Sequence, residues 1–78
     1  MSHTHRYRLE LTDRPEVLQR VLTLFRRRGC EVVSMEYVAA DRHRPAHLDV
    51  ALRADERHAR PLPHQLGSLV DVRTVKEL

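Results

Sequence analysis

The hydrophobic period of this chain changes at Asp13-Arg14-Pro15, and that change limits its fold more than any other feature. Before it, Tyr7-Arg8-Leu9-Glu10-Leu11-Thr12 alternates apolar and polar residues, the period of two that marks a half-buried strand. After it, Leu18, Val21, Leu22 and Phe25 recur at spacings of three and four with Val17 and Leu24 beside them, which predicts an amphipathic helix. The junction itself reads as a helix start. Asp13 stands as an N-cap acid, Pro15 sits where its missing N–H is harmless, and Glu16 follows Asp13 by three residues, as in a capping box. Gly29 is the predicted stop, because glycine accepts the left-handed conformation that closes many helices.

Beyond Gly29, Val32-Val33-Ser34-Met35-Glu36-Tyr37-Val38 is rich in β-branched and aromatic residues and reads as a second strand. The polar turn Asp41-Arg42-His43-Arg44-Pro45 joins it to a third, 47–53, whose Leu48, Val50 and Leu52 share one face. Pro61 and Pro63 oppose a long helix, so a loop from Asp55 and then a short helix over about 61–69 are predicted, with Leu62, Leu66 and Leu69 as its stripe. Residues 70–75 supply a fourth strand. The order β-α-β-β-α-β predicts an α+β, ferredoxin-like two-layer sandwich: a four-stranded antiparallel sheet with two helices on one face.

At 78 residues the chain is predicted to be one domain, 1–78, with an ordered core over about 5–78 and His3 in a disordered terminus. So small a domain buries only ~60% of its unfolded surface. Its sole cysteine, Cys30, offers no internal disulfide. An uncovered sheet face and two edge strands then make a homodimer through sheet edges the expected remedy. No apolar run reaches the ~20 residues of a membrane span, and the start lacks a signal-peptide core, so the cytoplasm is the expected location.

Fourteen Lys and Arg against eleven Asp and Glu leave a net charge of +3, which by itself does not point to nucleic acid. Only Tyr7, Phe25 and Tyr37 are aromatic, too few for base stacking, so no nucleic-acid partner is expected. Arg26, Arg27 and Arg28 fall in the last turn of the first helix, where each complements the helix dipole by ~0.3–1 kcal/mol. They are also the candidate docking patch for an acidic protein partner. His3, His5, His43, His47, His58 and His64 share no ligand spacing with Cys30, so no metal is expected. Cys30, leading into a strand, reads as a small buried hydrophobe. Glu10, Glu36 and Asp49 fall on polar strand phases, and no catalytic residue is predicted.

The same topology serves several functions, so residues must arbitrate. Thr12-Asp13-Arg14-Pro15 stands where a metallochaperone has Cys-x-x-Cys, and 47–53 lacks the aromatics of an RNA-recognition motif. No glycine precedes Gly29, unlike the first loop of an acylphosphatase. Three segments, 15–22, 26–35 and 65–72, together resemble the ACT-domain family. They are Pro15-Glu16-Val17-Leu18-Gln19-Arg20-Val21-Leu22, Arg26-Arg27-Arg28-Gly29-Cys30-Glu31-Val32-Val33-Ser34-Met35 and Gln65-Leu66-Gly67-Ser68-Leu69-Val70-Asp71-Val72. Within it the chain resembles the small regulatory subunits of acetohydroxyacid synthase (acetolactate synthase), isozyme II type.

The resemblance implies a noncatalytic subunit that activates a large catalytic subunit in branched-chain amino-acid biosynthesis. Thiamine diphosphate, Mg²⁺ and FAD are then expected on that partner, with no cofactor bound by this chain. It also implies pairing of ACT domains side by side. Amino-acid-sensitive members hold an effector with an asparagine and a glycine after the first strand, plus an asparagine and an apolar residue from the partner's second strand. Alignment on Arg20-Val21 and Gly29 puts Asp13 and Glu16, with Arg14 between them, at the first pair and Glu31 and Val32 at the second. Three of the four positions are acidic, which would repel an amino acid's carboxylate, so valine insensitivity is expected. The alternative expectation is a free-standing ACT module that binds an amino acid or related metabolite at its dimer interface.

Overall fold

β1 (Ser2–Leu11) and β3 (Ala46–Asp55) form the centre of the fold, paired antiparallel from Ser2 opposite Asp55 to Leu11 opposite Ala46. In this computed structural model, which describes residues 2–78, β2 (Glu31–Val38) flanks β3 and β4 (Val72–Glu77) flanks β1. All pairings are antiparallel and the sheet order is β2-β3-β1-β4. This is the ferredoxin-like arrangement that the period changes imply. β1 starts earlier than the alternation suggested, so His3 and Thr4 lie in the sheet opposite Ala54 and Arg53. Pairing with a long central strand orders residues whose own sequence carries no strand signal.

One sheet face is buried. Leu9 and Leu11 of β1, with Leu48 and Leu52 of β3, are fully enclosed beneath α1 (Pro15–Arg27), which contributes Val17, Val21 and Phe25. That stripe, spaced by four, is centred one residue from the predicted one, and Leu18, Leu22 and Leu24 are only partly buried. Helix closure is as expected. Gly29 has φ of +73°, its N–H donates to the Arg26 carbonyl at 3.2 Å, and the Cys30 N–H donates to the Phe25 carbonyl at 2.9 Å. These two bonds form a Schellman motif, with Phe25 and Cys30 supplying its apolar contact. Cys30 is 6% exposed, and burial pushes its thiol up from the ordinary range, away from thiolate chemistry.

Two local expectations are corrected. Arg14, not Asp13, occupies the N-cap position, and no side chain caps the helix, because the Asp13 carboxylate is engaged elsewhere. The second helical stretch begins before the prolines. Asp55 caps α2 (Glu56–Ala59) by accepting the His58 N–H at 2.9 Å, and α3 (Leu62–Gly67) follows, with Leu62 and Leu66 buried. Pro61 is the N-cap residue of α3 and Pro63 lies in its first turn, where neither removes a bond the helix needs. The prolines divide the second helix into two pieces rather than delaying it. β4 starts two residues later than predicted, leaving Val70 in the preceding turn at 96% exposure.

Candidate functional site

Asp13, Arg14 and Glu16 sit together where β1 passes into α1, at the end of the sheet that also carries the β2–β3 hairpin. Asp13 is the anchor of this corner. Its Oδ1 accepts the Tyr37 hydroxyl at 2.6 Å and its Oδ2 accepts the Ala40 N–H at 3.2 Å, tying the loop after β1 to the end of β2. That hydrogen bond to a carboxylate raises the Tyr37 hydroxyl's pKa, since the neutral phenol is the donor. Arg14 and Glu16 are exposed.

Glu31 and Val32 occupy the opposite end of β2. Glu31 pairs with Arg53 at 3.2 Å, and Val32, opposite Leu52, packs partly against the core. The six steps from Val32 to Val38 advance ~20 Å along a strand, so one chain does not bring the two candidate effector pairs together. Between them, β2 is an edge strand interrupted by a bulge at Val33, where the register shifts between Val32 opposite Leu52 and Ser34 opposite Ala51. Val33 is 47% exposed, Met35 41% and Val38 38%, an unusual apolar load for an unpaired edge.

Arg26, Arg27 and Arg28 lie at the end of α1, exposed and without an ion pair among the described residues. They therefore retain the charge that the docking expectation requires. Sequence reasoning does not identify Tyr37 as the partner of Asp13, although a tyrosine late in the second strand and an acid after the first are both present as a pattern. Nor did it single out Arg42, Arg44 and Arg73. The hairpin and the start of β4 place these around a shallow hollow of about 430 Å³ that also includes Asp13.

The open face of the sheet is charged and carries an ion pair across its two central strands. Arg8 on β1 donates to both carboxylate oxygens of Asp49 on β3 at 2.7 and 2.8 Å, across a directly opposed pair. The Arg8 hydrogen bonds, reinforced by its charge, hold the Asp49 carboxyl below its ordinary value of 3.8. A carboxyl depressed by folding contributes stability that is present above its unfolded pKa and lost as pH falls through the folded value. The melting temperature is therefore expected to decline on acidification below about pH 4. Asp49→Asn should flatten that decline in thermal melts followed by circular dichroism. An unchanged acid limb in the variant would mean that the Arg8–Asp49 pair has no part in it.

Among the described residues no three His, Cys, Asp or Glu side chains come together as a metal site. Among the described residues no helix is long and apolar enough to cross a membrane. The geometry is that of a small α+β unit with an apolar edge strand at β2, an acid-anchored loop at one end of that strand, and a basic helix end. Fold and sequence together define a small ferredoxin-like module. Residues 13–75 match the ACT domain family model, and the chain belongs to that family.

Among solved structures, the chain is similar in fold to an acetolactate synthase small subunit from Thermotoga maritima, with a TM-score of 0.80 and 23% identity. That match covers 96% of this chain and 47% of the other, so the chain spans about half the length of that subunit. It is also similar to the uncharacterized protein TM1266 of Thermotoga maritima, with a TM-score of 0.75 and 18% identity, covering 100% of this chain and 96% of that one. No curated protein matches the chain.

Proposed function

We propose that this chain is a noncatalytic regulatory subunit that binds and activates the large catalytic subunit of an acetohydroxyacid synthase. The observation that carries this reading is the ACT fold itself, matched over 96% of the chain by an acetolactate synthase small subunit. Thiamine diphosphate, Mg²⁺ and FAD belong to the partner in this reading. This chain acts by contact, binding the active arrangement of the partner more tightly than the inactive one. Arg26, Arg27 and Arg28 are the candidate docking groups, since their charges are exposed and unmatched among the described residues.

The working form is a homodimer through β2. Antiparallel pairing of two β2 strands about a two-fold at Met35, with the bulged Val33-Ser34 counted as one position, sets the partner's Val32 opposite Tyr37. It sets the partner's Glu31 opposite Val38. That register brings the second candidate effector pair to the loop anchored by Asp13 on Tyr37. An amino acid bound there would meet the carboxylates of Asp13, Glu16 and Glu31, only partly offset by Arg14, so tight valine binding is not expected.

A second reading, a free-standing ACT module that senses a small metabolite, is favoured by one observation. The chain covers 96% of TM1266, a protein of nearly the same extent, against half of the synthase subunit. Coexpression with an acetohydroxyacid synthase large subunit separates the two. A stable complex with raised acetolactate formation is expected, and no association at physiological salt would reject the subunit reading. Calorimetry with valine, leucine and isoleucine should show no saturable binding below about millimolar. A micromolar isotherm would instead identify a sensor.

A further inference from the structure

The outward side of α1 carries Glu16, Gln19, Arg20, Thr23, Leu24 and Arg27, which with Leu69 line a shallow hollow of about 420 Å³. Spacings of three and four put these residues on one helix face, as a single stripe along the helix. Five of the six are exposed and Leu24 is half-buried. A smaller hollow of about 240 Å³, sharing Arg20 and Leu69, continues the surface to Val70 in the turn before β4. Val70 at 96% exposure, next to Leu69, which also lines the first hollow with Leu24, gives the surface an apolar component.

The charges on the stripe decide what fits it. Arg20 donates to Asp71 at 2.6 Å, so its charge is already matched within the chain. Glu16 at one end and Arg27 at the other are left without an ion pair among the described residues. An acidic ligand would meet Glu16 and a basic one would meet Arg27. A second copy of the same helix, running antiparallel about a two-fold at the middle of the stripe, satisfies both. Glu16 of each copy then faces Arg27 of the other, Gln19 faces Leu24, and Arg20 faces Thr23.

We propose that α1 is a self-association surface on which a second copy of this chain docks antiparallel, joined by two reciprocal Glu16–Arg27 ion pairs around the Leu24, Leu69 and Val70 surface. Its size limits its strength. The eleven steps from Glu16 to Arg27 span ~17 Å of a helix ~10 Å wide. The contact therefore falls well below the ~800 Å² per partner of a standard stable interface. The association is accordingly weak, concentration-dependent and sensitive to salt. It does not depend on the pairing through β2: sheet-edge dimers would be joined into fours, and chains unable to pair through β2 would still associate in twos.

Sedimentation equilibrium on the full chain at low salt tests this, both in the wild-type background and with the β2 edge blocked by Met35→Lys. Arg27→Glu and Glu16→Arg, each of which turns two attractive pairs into repulsive ones, are expected to weaken the α1-dependent step by about 10-fold. The double reversal E16R/R27E should restore it to near the wild-type constant. All three sites are exposed, and circular dichroism melts establish that the variants fold. Loss in the single variants with recovery in the double one, in both backgrounds, supports the surface. Single reversals without effect, a double variant that stays weak, or no self-association at millimolar chain would each overturn it. A change confined to Met35→Lys would concern the sheet-edge pairing alone.

Discussion

Phe25→Ala is expected to leave a large part of the protein unfolded at room temperature. Phe25 is fully buried, and deleting so large a buried ring typically costs ~3–5 kcal/mol. Domains of this kind hold ~0.05–0.15 kcal/mol of stability per residue, and one this small sits toward the low end. The loss is therefore comparable with the whole stability. It is also badly placed, because the ring belongs, with Cys30, to the core beneath the closure of α1. Urea titration followed by circular dichroism would measure it. A loss below about 1 kcal/mol would mean that the α1 stripe is not packed on the sheet as described.

The double substitution Val33→Lys/Met35→Lys is expected to abolish the homodimer while leaving the isolated fold intact. Both side chains stand on the unpaired edge of the sheet, 47% and 41% exposed, so their replacement in a monomer should change stability by no more than ~0.5 kcal/mol. Two lysines on an edge strand oppose addition of another strand, since pairing would bury or crowd their ammonium groups. Light scattering after size exclusion should show the mass of one chain where the unsubstituted protein shows two. The same variant should lose any binding completed by the partner's Glu31 and Val32. Persistence of the dimer would place the interface away from β2.

The two predictions differ in how far the sequence could have made them. Phe25 was readable as a core residue from its spacing with Val21 and Leu18, because a helix packed on a sheet must repeat its apolar positions. The closing glycine was equally readable, since few residues other than Gly29 adopt φ of +73° without strain. The position of β2 at an edge follows only from the sheet order β2-β3-β1-β4, which depends on pairings between residues far apart in the chain. Val33 and Met35 look like ordinary strand hydrophobes until the order shows that nothing pairs beyond them.

The candidate site divides in the same way. Asp13 looked like a helix cap because an acid before Pro15 and Glu16 fits that role, and local pattern contains nothing against it. Folding presents Asp13 with a competing pair of donors, the Tyr37 hydroxyl and the Ala40 N–H, from a segment more than twenty residues away. It satisfies those instead. The prolines at 61 and 63 are incompatible with one long helix, as their chemistry implies. Only the structure showed that Asp55 starts a turn of helix before them, using its carboxylate on His58.

What the sequence determined by itself was the order of elements and the ACT family resemblance, because hydrophobic period, helix closure and short motifs are local properties of the chain. What the tertiary structure alone decided was which strands stand at the edges of the sheet, where Asp13 places its carboxylate, and which stripe of α1 remains uncovered. Each of those is settled by contacts across long sequence separations. There, burial and pairing compete with local preference, and the outcome depends on which donors and apolar surfaces the fold brings within reach.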